Sequence, residues 1–261
     1  MPENTDGEVL LTTDPSGVWT IELNRAAKHN AMSGVMAAQL EEHSQRINRS
    51  SEARVVILRG AGQSFCSGSD ITALDEYPEA WDFHNRTSDY TRSIRRIRKP
   101  VITAIQGHCL GGGLEMAING DIRIAADSAR IGAPEINWGW LGGGGDSQLI
   151  PRLTNYGMAM KFLLVGESVS GAEALRMGIV EECVPDEQLL PRVEELAAVI
   201  AAKAPIAAQA TKQAVRASLN MGAEVGLEYE NELVAVTFMT EDKQEGVRAF
   251  TEKRAPVFKG R

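Results

Sequence analysis

The chain of 261 residues is poor in cysteine: Cys66, Cys109 and Cys183 are widely scattered and show no CxxC spacing. An odd, dispersed set builds neither a disulfide framework nor a zinc site, and it fits reduced thiols in a cytoplasmic setting. Positive charge is also short, with 27 Lys and Arg against 35 Asp and Glu and a formal net charge of −8. Nucleic acid and acidic membranes need a basic face, so both are excluded as general partners. No apolar run approaches a bilayer span, and the acidic opening "MPENTDGEVL" lacks the cationic and apolar regions of a signal peptide. The glycine-rich loops fit neither GxGxxG nor GxxxxGK[ST], and no serine stands in GxSxG. Dinucleotide, P-loop and α/β-hydrolase chemistry therefore lack their mechanics. His29, His43, His84 and His108 show no metal spacing, and no metal is expected.

What is present is a large apolar fraction, 43% of residues, enough for one α/β domain or a domain with a small appendage. "EVLLTTDPSGVWTIELN" holds two alternating apolar runs around Asp14-Pro15-Ser16-Gly17, a hairpin signal. Ser33 precedes a helical pattern through Met36, Leu40, His43 and Ile47, with His43 read as a helix-face residue. "ARVVILRG" and "PVITAIQG" are β-branched runs of the buried-strand type, and "DIRIAAD" and "ARIGAPE" predict two further strands. The basic run Arg92, Arg95, Arg96, Arg98, Lys99 reads as a solvated helix face. Beyond Ser170 the pattern is almost entirely helical. The expected organisation is repeated strand–strand–helix units over 1–195, then a helical region over 196–261.

The most telling stretch is "CLGGGLEMAING", residues 109–120. It follows the strand "VITAIQG" and turns into a helix near Gly112. A helix start exposes unpaired N–H groups and positive partial charge, which suit an anion, and glycines let a ligand approach the backbone closely. Glu115 would lie in the first helical turn, although glycine clusters also serve tight helix–strand packing.

Three segments then appear in order: "SFCSGSDI" (64–71), "KPVITAIQGHCLGGGLEMAINGDIRIAADSARIGAPE" (99–135) and "AFTEKRAPVFKGR" (249–261). Together with "LNRAAKHNAM" and "ALRMGIVEECVP", they resemble the crotonase, or enoyl-CoA hydratase/isomerase, superfamily over nearly the whole chain. The resemblance implies an α/β fold, a spiral of β-β-α units with C-terminal helices that build a homotrimer or a hexamer of paired trimers. It implies an acyl-CoA substrate and no cofactor beyond the coenzyme A that the substrate carries.

Residue by residue, the resemblance makes the N–H groups of Ser69 and Gly112 an oxyanion hole for the thioester oxygen. It makes Glu115 and Glu135 catalytic, with Glu135 as main proton donor and Glu115 orienting water. It lines the acyl site with Asp70, Ile71, Thr72, Trp138, Trp140 and Gly143, and borders the CoA nucleotide with Arg25, Lys28, Phe250 and Lys253, with a neighbouring subunit as one source of the last two. The implied activity is enoyl-CoA hydration, because isomerases and cleaving relatives often keep only the second glutamate. An isomerase, a hydratase-lyase of aromatic enoyl-CoAs (which "INW" resembles), a thioester hydrolase and a non-catalytic acyl-CoA or RNA-binding relative stay open as alternatives.

The chain departs from the family pattern after Glu135. In "INWGWLGGGGDSQ", Gly142 stands where proline is common and Asp146 where glycine is common, while Thr72 replaces a frequent lysine. Asp146 reads either as a third carboxylate near the water or, as the sequence favours, as the N-cap of the helix "DSQLIPRL". Trp138 and Trp140 read either as a narrowing of the acyl pocket or as core.

Overall fold

The computed structural model describes residues 7–70 and 89–261. The opening hairpin pairs β1 (Val9–Thr12) antiparallel to β2 (Val18–Leu23). Its turn closes through Gly17 N–H to Asp14 O at 2.9 Å and Ser16 N–H to Asp14 Oδ1 at 2.7 Å. Ser33 caps α1 (Gly34–Arg49), its Oγ accepting the Met36 N–H at 3.1 Å. His43 on this helix is buried and lies 3.0 Å from the Val9 carbonyl through Nε2, so it belongs to the core.

The chain then alternates between two sheets. β3 (Val55–Gly60), β4 (Val101–Ile105), β6 (Ile122–Ala126) and β9 (Glu182–Val184) extend β1 and β2 into a six-stranded sheet of order β1-β2-β3-β4-β6-β9, parallel throughout after the first pair. β5 (His108–Leu110), β7 (Arg130–Gly132) and β8 (Val169–Ser170) form the second sheet. Each unit runs strand, second-sheet strand, helix. Thus α2 (Tyr90–Arg95) precedes β4, and β4 and β5 lead into α3 (Gly112–Ile118). β6 and β7 lead through a 3₁₀ turn, Pro134–Trp138, to α4 (Asp146–Leu153). A bridge between Cys66 and Cys109 brings the earlier unit alongside the second sheet.

The larger sheet is buried on both faces, which is why every residue of β4 is buried and all but Thr103 are apolar. One face packs on α1, α3 and the small sheet; the other takes Val55, Ile57, Ile102 and Ile124 against Leu189, Val193, Ala197 and Ala201 of a later helix. After α5 (Tyr156–Val165) and α6 (Gly171–Met177), that helix is α7 (Leu189–Ala201). The expected boundary at 195/196 falls inside α7, whose apolar stripe covers the sheet on both sides of it. The helical end consists of α8 (Pro205–Ser218), α9 (Ala223–Phe238) and α10 (Glu241–Glu252). α8 is anchored by the buried Lys212, which reaches Asp121 at 2.6 Å and the carbonyl of Lys99 at 2.7 Å. Lys99 itself is buried, unlike the rest of its basic run. Among the described residues, no helix is long and apolar enough to cross a membrane.

Candidate active site

The three consecutive glycines sit where β5 turns into α3. Gly111 has φ 54° and ψ −125°, a backbone that side chains rarely tolerate. A Cβ there would also come within 2.8 Å of Glu135 Oε1. A Cβ at Gly112 would overlap the Tyr90 hydroxyl, and one at Gly113 would overlap the carbonyl of Cys66. Each glycine makes room for a different neighbour: a carboxyl group, a hydroxyl and the facing backbone.

The facing loop is held along β5 by Cys66 N–H to His108 O at 2.9 Å and Leu110 N–H to Cys66 O at 3.0 Å. A Cβ at Gly68, whose φ is 107°, would lie only 3.6 Å from Gly112 N. Ser69 and Gly112 are therefore close neighbours. Among the described residues, neither backbone N–H donates to a protein acceptor. Tyr90 reaches the same spot from the start of α2, its hydroxyl 2.7 Å from Ser69 Oγ. No local sequence signal marks Tyr90; only the packing of α2 against α3 brings it here.

Glu115 projects from α3 and is 5% exposed. Its carboxylate accepts N–H groups from Gly144 and Asp146, at the start of α4, where helix polarity favours an anion. Asn119, at the end of α3, fixes this contact by donating to the carbonyls of Glu115 at 2.7 Å and Gly144 at 2.9 Å. Glu135 enters from the 3₁₀ turn after β7, 9% exposed, and among the described residues its buried Oε2 has no hydrogen-bond partner. A cavity of about 310 Å³ opens here, walled by Glu135, Asp146, Ile136, Trp140, Gly142 and Leu163 among others.

Asp146 does not cap its helix. Gly145, with φ 122°, occupies the N-cap position, so Asp146 is the first helical residue and its carboxyl turns inward, 2% exposed. Three carboxyl groups consequently share one poorly hydrated site. Burial, then the neighbouring Asp146, push Glu115 up to about 7. Burial and Asp146 raise Glu135, and burial raises Asp146.

A stability consequence follows. The unfolded chain releases the Glu115 proton in the ordinary carboxylate range, near 4.5, whereas the folded protein holds it to about 7. The folded state binds more protons between those values, so stability falls as pH rises through that window. Melting at about pH 6 is expected to show about 1 kcal/mol more stability than at about pH 8. Glu115→Gln should lose most of that difference in thermal melts. An unchanged pH dependence in the variant would contradict the burial of an ionisable Glu115.

The remaining expected site residues divide. Asp70 pairs with Arg25 at 2.7 Å, and Arg25 also donates to Ala31 O at 3.0 Å, so this arginine is built into the fold. Lys28 is exposed beside it. Phe250 is 86% exposed, and neither it nor Lys253 lines the carboxylate cavity. Ile71 and Thr72 lie outside the described residues. The tryptophans are not core: Gly139, with φ 85°, breaks the 3₁₀ turn and leaves Trp138 64% and Trp140 44% exposed. Trp140 lines the cavity, while Trp138 does not. Gly143 is exposed, and its neighbour Gly142 forms the wall.

Comparison with known proteins identifies the family. The family model for enoyl-CoA hydratase/isomerase matches residues 13–261. The (E)-benzylidenesuccinyl-CoA hydratase of Thauera aromatica is 38% identical over 92% of this chain and 94% of its own. The short-chain-enoyl-CoA hydratase of Clostridium acetobutylicum is 35% identical over 91% and 92%. The crystal structure of enoyl-CoA hydratase from Bacillus anthracis superposes with a TM-score of 0.90 at 34% identity, covering 97% of this chain and all of that one. The chain has the crotonase fold and belongs to the enoyl-CoA hydratase/isomerase family. It is an enzyme of the enoyl-CoA hydratase kind.

Proposed function

We propose that the protein adds water across the Cα=Cβ bond of a trans-2-enoyl-CoA, using Glu115 and Glu135 as its acid–base pair. The observation that carries this reading is two buried glutamates at one site, Glu135 lining the cavity and its Oε2 without a hydrogen-bond partner among the described residues. Water held between the carboxyl groups attacks Cβ and gives its proton to a carboxylate. The Cα=Cβ electron pair moves into an enolate, and Glu135 delivers a proton to Cα. Negative charge on the thioester oxygen is met by the N–H groups of Ser69 and Gly112. Such a donor is worth about 10²–10³-fold in rate. No electrons are gained or lost overall, so the scheme calls on no redox cofactor and no metal.

The CoA nucleotide is proposed to run past Arg25 and Lys28, with Phe250 and Lys253 supplied by a neighbouring subunit. The exposure of Phe250 supports that assignment. A homotrimer or hexamer is supported by α9, which buries none of its residues within the protomer yet displays Val225, Leu227, Val234, Val236 and Phe238. Light scattering should show a multiple of three protomers; a stable monomer at micromolar concentration contradicts it. A cytoplasmic location rests on the sparse, unpaired thiols.

Asp70, Ile71, Thr72, Trp138, Trp140 and Gly143 remain assigned to the acyl side, with Trp140 the one that walls the cavity. Trp140→Ala should therefore shift preference towards larger acyl groups, whereas an unchanged profile removes Trp140 from the acyl pocket. The test of the reading itself is a panel of short, long, branched and aryl enoyl-CoA thioesters with product identification. 3-Hydroxyacyl-CoA is expected from at least one. Free CoA or a shifted double bond as the sole product would overturn it.

A further inference from the structure

Asp146 has no task in that scheme, yet it is the most deeply buried of the three carboxyl groups. Its Oδ1 accepts the Ser147 N–H at 2.5 Å. Its Oδ2 faces the space over Gly142, where an added Cβ would overlap Oδ2 and lie 2.8 Å from Glu115 Oε1. Both carboxyl groups border the position that a side chain at residue 142 would fill, a space open only because that residue has none. Glu135, whose Oε2 has no partner among the described residues, lines the same cavity as Asp146.

The charged surroundings are lopsided. α3 offers Glu115 and the 134–138 turn offers Glu135. From α5, which packs on α4, Tyr156 and Lys161 are both exposed. On α4 itself, Arg152 is turned to the carbonyls of Gln148 and Leu219. Among the described residues, no cation pairs with any of the three carboxyl groups. Like charges this close and this buried oppose each other's ionisation, so the two carboxyl groups titrate as a pair. The backbone N–H of Asp146 holds the Glu115 carboxylate in place while its side chain opposes the charge there.

We propose that Asp146 is a positioning residue for hydration: it shares one proton with Glu115 and so sets the pH at which Glu115 bears the charge that orients water. This rests on the hydratase reading above. One proton distributes over the pair, bound to one carboxyl group or the other, so nothing is consumed.

Asp146→Asn keeps the shape and an acceptor for Ser147 while removing the charge. The acid limb of kcat/KM should move to lower pH. The ratio of variant to wild-type kcat/KM is then expected to rise about fivefold between about pH 8 and about pH 6. Parallel profiles with a uniform loss would make Asp146 a packing residue and overturn the proposal. A second readout needs no substrate: proton uptake by the folded protein, titrated across the same range. Uptake near neutrality should move to lower pH in the variant, and superimposable curves would overturn the proposal. Because it is independent of turnover, this readout survives a failed substrate panel and separates the two claims. Should Asp146→Asn not fold, Asp146→Ser, which also keeps an acceptor for Ser147, replaces it in both measurements.

Discussion

Glu115→Gln and Glu135→Gln are each expected to lower kcat for hydration by about 10²–10⁴-fold, the usual worth of one acid–base group. Glutamine keeps the shape and most of the hydrogen bonding, so the Gly144 and Asp146 N–H groups still find an acceptor at position 115. What it cannot do is exchange a proton. CoA affinity should change little in either variant, because the nucleotide contacts proposed for Arg25, Lys28, Phe250 and Lys253 lie away from the cavity. An isomerase working through Glu135 alone gives a different pattern, with Glu115→Gln still moving a double bond at close to the wild-type rate. Comparable damage from both substitutions supports the two-carboxylate scheme. Near-normal hydration by Glu115→Gln contradicts it.

Gly111→Ala is expected to be nearly as damaging, though it removes no functional group. At φ 54° and ψ −125° the alanine backbone is strained, and its Cβ would press on Glu135 Oε1 from 2.8 Å. Strain of this kind costs about 1–3 kcal/mol. Relief requires moving the α3 start, which carries the Gly112 N–H, or moving Glu135. Either movement displaces a group proposed to act in the reaction, and displacement of about 1 Å costs about 10²-fold in rate. The expected result is a folded protein with a lower melting temperature and kcat reduced by about that factor. A variant with a normal kcat would mean that this glycine serves neither neighbour.

Much of the fold was legible because local and global signals agree. The β1–β2 hairpin, the Ser33 cap, the buried strands and the helix starting at Gly112 all obey short-range rules of turn, cap and periodicity. The triple glycine was readable as a close approach, but not what approaches: Glu135, Tyr90 and Cys66 come from three distant segments. Asp146 misled for a local reason. An aspartate before a helical run is a good N-cap signal, but Gly145 takes the cap with a positive φ that only tertiary packing of the glycine loop specifies. Lys99, read with its basic run as a solvated helix face, is buried because α8 covers it, whereas His43, counted in the helical pattern with Met36, Leu40 and Ile47, is buried against a carbonyl of β1. Trp138 and Trp140 are large enough to be core in any composition-based reading, and the break at Gly139 leaves them outside.

The central claim is that water is added and nothing is cleaved. Turnover of an accepted trans-2-enoyl-CoA in water labelled with both ¹⁸O and deuterium, followed by mass spectrometry of the intact thioester, tests it most directly. The expected product carries one solvent oxygen at Cβ and one solvent hydrogen at Cα, with CoA still attached. Solvent hydrogen without solvent oxygen, or labelled oxygen in a free acid alongside released CoA, would contradict it.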